Sequence, residues 1–166
     1  MDDLFGLAGT FPRPGWIVLD AARDHRVTGE LCFDTAPAAR VYLDRGRIYL
    51  AERISDPSLG ARLVDAGALT AVQLERGSIR IGDIEHLGRL FERVPNIDRH
   101  TVLVTSELMT EECVSWIAAQ RVPDVTWRPY RHHASGMHRW SSPRLAPGEP
   151  LPAPSAADAP VSFAPP

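Results

Sequence analysis

The chain has 166 residues, 44% of them hydrophobic and 23% charged, with a formal net charge of −3; this suffices for one ordinary globular core and is too little for two large domains. No run approaches the ~20 consecutive apolar residues that span a bilayer, and Met1-Asp2-Asp3-Leu4 is acidic where a secretory leader is basic, so a cytoplasmic protein off the membrane is expected. All 18 cationic side chains are arginine, scattered through the first 144 residues against 21 carboxylates, a pattern without the basic footprint of a nucleic-acid binder.

Pro12 and Pro14 precede Trp16-Ile17-Val18-Leu19 and Ala21-Ala22, whose apolar spacing predicts a first helix. Thr28-Gly29-Glu30-Leu31-Cys32-Phe33 then alternates, as do Arg40-Val41-Tyr42-Leu43 and Ile48-Tyr49-Leu50-Ala51. Three antiparallel strands follow, the last two joined at Arg45-Gly46, because glycine accepts the positive φ of a tight turn. Beyond Pro57 the period becomes helical: Leu59, Leu63 and Val64 run to a stop at Gly67, and Thr70 is placed to cap a short helix through Val72 and Leu74 that stops at Gly77. Gly29, Gly46 and Gly67 are thus read as structural turn positions.

Asp83 is expected to open a further helix through Ile84, Leu87, Leu90 and Phe91, ending near Pro95. Asp98 begins the longest helix, with Val102, Met109, Cys113 and Trp116 on one face, although Thr101-Val102-Leu103-Val104-Thr105 carries strand propensity. Val125-Thr126-Trp127-Arg128 reads as a last strand, placed at a sheet edge by Pro129. Eight of the 15 prolines fall between Pro143 and Pro166, so 141–166 is expected to be a disordered Pro/Ala-rich tail behind a domain at 1–140. The expected fold class is α+β, a small antiparallel sheet covered by several helices.

The order of these pieces carries a resemblance. An opening Leu7-Ala8-Gly9-Thr10-Phe11, a helix, the Thr28-Gly29-Glu30-Leu31 strand, the hairpin Val41–Ala51, a helical stretch, a tryptophan and a final strand resemble the bacterial PATAN-type domain over residues 5–131. That family is regarded as a protein-interaction or signalling module, often joined to response-regulator receivers or encoded near small GTPase systems. The resemblance implies a non-catalytic adaptor that binds another protein in trans. Within it, Ser58-Leu59-Gly60-Ala61-Arg62-Leu63-Val64-Asp65-Ala66-Gly67-Ala68-Leu69-Thr70-Ala71-Val72-Gln73-Leu74 is similar to the LGxxLVxxGxLTxxQL segment of type II secretion and pilus ATPases, with a weaker copy from Leu87-Gly88. In the MshEN subset such motifs bind cyclic di-GMP, which implies an alternative, a cyclic-dinucleotide sensor using Leu59, Gly60 and Gly67. Ser58 and His86 stand where that subset places arginine.

No GxSxG elbow, GxxxxGK[ST] loop or HExxH pair occurs, and Glu111 and Glu112 diverge by about 100° on a helix, so no catalytic residue is assigned. His132 and His133 would point to opposite sides of a strand, and with His138 they lack a cysteine or carboxylate to complete a tetrahedral site; neither metal nor cofactor is expected. Cys32 and Cys113 read as buried free thiols. Trp127 is expected to face the core. Tyr130 and Arg131 beyond Pro129, with Arg139 and Trp140, are the candidate partner-binding residues, since Arg, Tyr and Trp combine large apolar bodies with directional donors. A DNA-binding reading is weakened by short helices with only Arg62, Arg76 and Arg80 nearby.

Overall fold

The computed structural model describes residues 12–82 and 84–139, with the side chain of Arg139 excluded. Its centre is a four-stranded antiparallel sheet in the order β4-β3-β2-β8, built from β2 (Gly29–Phe33), β3 (Ala39–Asp44), β4 (Arg47–Arg53) and β8 (Val125–Pro129). The three strands read from alternation are present, and the edge strand after Asp124 pairs with β2. The β3–β4 turn takes positive φ at both Arg45 (52°) and Gly46 (81°), as a two-residue hairpin requires.

Alternation sends Leu31, Phe33, Ala39, Val41 and Leu43 to one face of the sheet. There they pack on Val18, Leu19 and Ala22 of α1 (Gly15–Asp24) and on Cys113, Val114 and Ile117 of α5 (Arg99–Ala119). A bulge breaks the pattern in β4: Leu43 pairs with Ile48 but Tyr42 pairs with Leu50, so Tyr49 is an extra residue. Tyr49 and Leu50 therefore both turn to the second face, while Ile48 and Ala51 stay on the first. On that second face they join Tyr42, Leu59, Leu63, Leu87, Leu90 and the N-terminal half of α5 in a second apolar cluster.

Thr70 and Asp98 start helices as expected, and Ser58 is a further cap. Ser58 caps α2 (Leu59–Asp65), and Thr70 and Gln73 form a reciprocal capping box on α3 (Ala71–Gly77). Asp98 accepts from the His100 and Thr101 backbone N–H groups, and the Thr101 hydroxyl donates to its other oxygen at 2.6 Å. This cap, with burial of Val102, Met109 and Cys113, overrides the strand propensity of Thr101–Thr105.

Two parts of the chain depart from expectation. The helix expected from Asp83 is instead a ribbon of β5 (Ile79–Ile81) and β6 (Ile84–His86), followed by a single turn, α4 (Leu90–Arg93); Asp83 itself lies outside the described residues. Ile79-Arg80-Ile81 alternates with period two, and Gly82 at φ 62° turns the chain back, so Ile81 meets Ile84. A two-residue pair, β1 (Arg13–Pro14) with β7 (Arg121–Val122), was too short to read. It brings Gly15 onto α5, where the Gly15 N–H donates to the Gln120 carbonyl and any Cβ would collide with the Ile117 backbone. The Pro-rich stretch 141–166 and Trp140 lie outside the described residues.

Candidate functional site

The second face of the sheet carries a polar lattice set by strand register. Directly across the strands, Arg128, Glu30, Tyr42 and Leu50 form one row, and Thr126, Cys32, Arg40 and Glu52 the next. Glu30 lies on the central strand and is wholly buried. An isolated carboxylate there would be strongly unfavourable, so its partners decide whether the fold can hold it. The Tyr42 hydroxyl donates to Oε1 at 3.0 Å, and Arg128 Nη1 lies 3.3 Å from Oε2. Arg40 and Arg131 both approach through Nε, at 3.6 and 3.1 Å. One carboxylate is thus faced by three guanidinium groups.

Arg131 reaches Glu30 because the chain reverses after β8. Tyr130 adopts φ 58°, its N–H donating to the Thr28 carbonyl, and residues 131–138 then cross the sheet face as a strap. The His133 N–H donates to the Tyr49 hydroxyl at 3.0 Å, and its ring stands edge-on to Tyr42 with centroids 4.8 Å apart. Ser135 N–H donates to His133 Nδ1 at 3.1 Å, which leaves Nε2 as the donor, 3.5 Å from Glu52 Oε1. Burial pulls the Glu52 carboxyl upward, but the bond and charge of His133, then Arg40 and Tyr42, outweigh it and hold it below its ordinary range. Burial beside Glu52 and Glu30 pushes the Tyr42 phenol far above its usual value, so it remains a donor. His132 stacks on His138 at 4.1 Å.

A cleft of about 400 Å³ opens between this lattice and the β5–β6 ribbon. Arg40, Tyr42 and Glu52 form its floor, Arg131 to Ala134 one wall, and Arg80 with Ile84 to Leu87 the other; Ser58 and Leu59 close the end.

The residues singled out from sequence distribute unevenly around it. Arg131 is in the cleft, whereas Tyr130 does not line it and is 79% exposed. Arg139 ends a 3-10 turn, Met137–Arg139. Leu59 lines the cleft; Gly60 lies under the Glu85 carboxylate, and Gly67 makes a left-handed turn beyond α2. Trp127 lies on the core side of the sheet opposite Leu31, but on the edge strand it stays 37% exposed. Cys113 is buried and Cys32 half-buried, both unpaired thiols. Glu30, Arg40, Tyr42 and Glu52 were not singled out from sequence, and Arg80 was weighed only for a DNA-binding surface. The one available signal was Glu30 inside an otherwise apolar Gly29–Phe33 strand.

Among the described residues no group of three or more His, Cys, Asp or Glu side chains is arranged to hold a metal, and no helix is long and apolar enough to cross a membrane. No protein-family model, curated protein or solved structure matches the chain.

Proposed function

We propose that the chain is a non-catalytic protein-interaction module, an adaptor of the PATAN-like signalling type implied by its sequence, which engages another protein through the end of β8. The observation that carries this reading is Tyr130: a large aromatic side chain, 79% exposed, on a backbone pinned at φ 58° by its bond to Thr28. A non-glycine residue in this region costs on the order of 1–3 kcal/mol, and such strain concentrates at functional positions. Its preset backbone lowers the ordering entropy lost on docking.

The side chains best arranged for catalysis support the same reading. Ser135, His133 and Glu52 form a serine–imidazole–carboxylate array, with Ser135 Oγ 2.8 Å from His133 Nδ1. Ser135 is wholly buried and its hydroxyl accepts the Met137 N–H, so no substrate carbonyl reaches it. The array is a strut that fastens the strap. Arg62, a candidate for a nucleic-acid surface, is engaged by Asp56 and Glu112.

The test is a photo-crosslinking amino acid at position 130, compared with one at Val72, which is 65% exposed on α3. A discrete adduct in cells from position 130 and none from 72, with its partner lost on Tyr130→Ala at unchanged melting temperature, supports the adaptor. Identical adduct patterns from both positions overturn it.

The cyclic-dinucleotide reading draws on Ser58, Leu59 and His86 lining the cleft. Against it, the Glu85 carboxylate covers Gly60, where a backbone cradle for phosphate would be needed. Titration with cyclic di-GMP, expected to give no saturable heat, decides that alternative.

A further inference from the structure

We infer that the cleft between the sheet and the β5–β6 ribbon is a binding site for a small phosphate ester, held by Arg40, Arg131 and Arg80. The inference is independent of the adaptor reading, because Tyr130 does not line the cleft.

It begins with the surplus of charge around Glu30. Tyr42 and Arg128, its neighbours in the strand ladder, already supply one donor to each carboxylate oxygen. Arg40 and Arg131 add two more cations, both facing Glu30 through Nε, and their side chains remain 38% and 52% exposed. These contacts orient both guanidinium groups toward Glu30, Arg40 also bonding to Tyr42, and the exposed remainder of each can meet an incoming anion. Both arginines line the cleft, and Arg128 does not.

Arg80 faces them from β5. It is exposed and forms no ion pair among the described residues, although Glu85 stands opposite it in the ribbon. Four guanidinium groups therefore surround three carboxylates, Glu30, Glu52 and Glu85, and of these Glu30 is wholly buried and Glu52 is occupied by His133. The His86 and His132 imidazoles also line the walls.

The geometry selects among anions. One guanidinium fork can pair both oxygens of a carboxylate, whereas a tetrahedral phosphate offers three or four oxygens to cations arriving from β3, β5 and the strap. The opening of about 400 Å³ falls within the roughly 300–1,000 Å³ of small-molecule sites, so the phosphate can carry an organic body. Glu85 at the rim, over Gly60, offers an acceptor to hydroxyl groups of that body and disfavours a second anionic group.

The test is calorimetric titration of the full chain with inorganic phosphate and with glycerol 3-phosphate, using acetate at matched ionic strength as control, alongside amide chemical-shift mapping. Saturable binding of both phosphates is expected, with shifts at Arg80, His86 and Ala134 and none from acetate. Because Arg80 forms no ion pair among the described residues, Arg80→Ala should leave the melting temperature unchanged and weaken binding about tenfold or more. Arg131→Ala should abolish binding; should its loss unfold the chain by stranding Glu30, Arg80→Ala decides alone. No saturation, an equal response to acetate, shifts confined to other surfaces, or full affinity in Arg80→Ala would each overturn the assignment.

Discussion

Arg131 Nε stands 3.1 Å from Glu30 Oε2, although Glu30 is wholly buried and the Arg131 side chain is 52% exposed. That asymmetry decides how the cluster responds to mutation. A guanidinium released from the pair returns to water, whereas the carboxylate cannot, so the cost of each loss depends on how many cations remain. Arg40→Ala, Arg128→Ala and Arg131→Ala should each cost about 0.5–1 kcal/mol, discounted for solvent screening of half-exposed groups. The Arg128→Ala/Arg131→Ala double variant should cost more than the sum of the two, because Glu30 is then left to Tyr42 and the longer contact with Arg40. Urea midpoints measure this coupling, and simple additivity would show that water reaches Glu30.

Two left-handed glycines should separate backbone strain from collision. A Cβ at Gly46 would sit 2.6 Å from the Arg23 carbonyl oxygen, whereas at Gly67, with φ 73°, it would meet nothing within 4 Å. Gly67→Ala carries strain alone, about 1 kcal/mol. Gly46→Ala adds a backbone clash and the displacement of the Gly46 N–H from Val27, and should cost about 2–3 kcal/mol. Equal midpoints for the two variants in urea would mean that the Arg45–Gly46 turn relaxes freely.

Local chemistry accounts for what could be read before folding. The Thr70 cap, the Asp98 helix start and the Arg45–Gly46 turn appear as expected, and their partners Gln73 and Thr101 show that each acts over three residues or fewer. The β5–β6 ribbon was masked because Ile84, Leu87, Leu90 and Phe91 also suit a helical spacing, while the competing signal, Ile79 and Ile81 before Gly82, occupies only four residues. The candidate site was hidden for a different reason. Glu30, Tyr42 and Arg128 meet only after three strands pair, and Arg131 to His133 join them through an irregular strap with no periodicity to read.

Glu52 should shape the acid limb of stability. Its carboxyl titrates below its ordinary range in the folded chain, so on acidification the unfolded chain takes up the proton first. The stabilisation is complete above the unfolded carboxyl value of about 4.3 and is lost as pH falls through the lower folded value. Glu52→Gln should flatten the fall of unfolding free energy between about pH 5 and pH 3 relative to the parent. Parallel curves for the two chains would show that His133 and Arg40 do not hold the charge.

The thiols should differ in access. Burial pushes the Cys113 thiol up to about 12, and burial followed by the nearby Glu30 charge raises that of Cys32. Cys32 remains half-buried on the second face of the sheet, whereas Cys113 lies in the apolar cluster under α1. At pH 8 a maleimide should label Cys32 slowly in the native chain and Cys113 only at the rate of unfolding. Native labelling of a Cys32→Ser variant would show that α5 opens locally.

Tyr130 offers the sharpest division between stability and binding. At φ 58° a tyrosine holds a conformation that glycine adopts freely, and the side chain is 79% exposed, so the fold gains little from its contacts. Tyr130→Gly relieves strain in the folded chain while adding freedom to the unfolded one, and the first effect is the larger where φ is positive. The variant should be more stable by about 0.5–1 kcal/mol, with the Tyr130 N–H still donating to Thr28. Tyr130→Ala, which keeps the strain and removes the ring, should leave stability nearly unchanged. Both variants should lose the crosslinked partner equally, because both delete the aromatic anchor. A chain that becomes more stable and less able to bind has its strain placed for recognition. If Tyr130→Gly is instead destabilising, the ring packs on the fold and the anchor must lie elsewhere on β8.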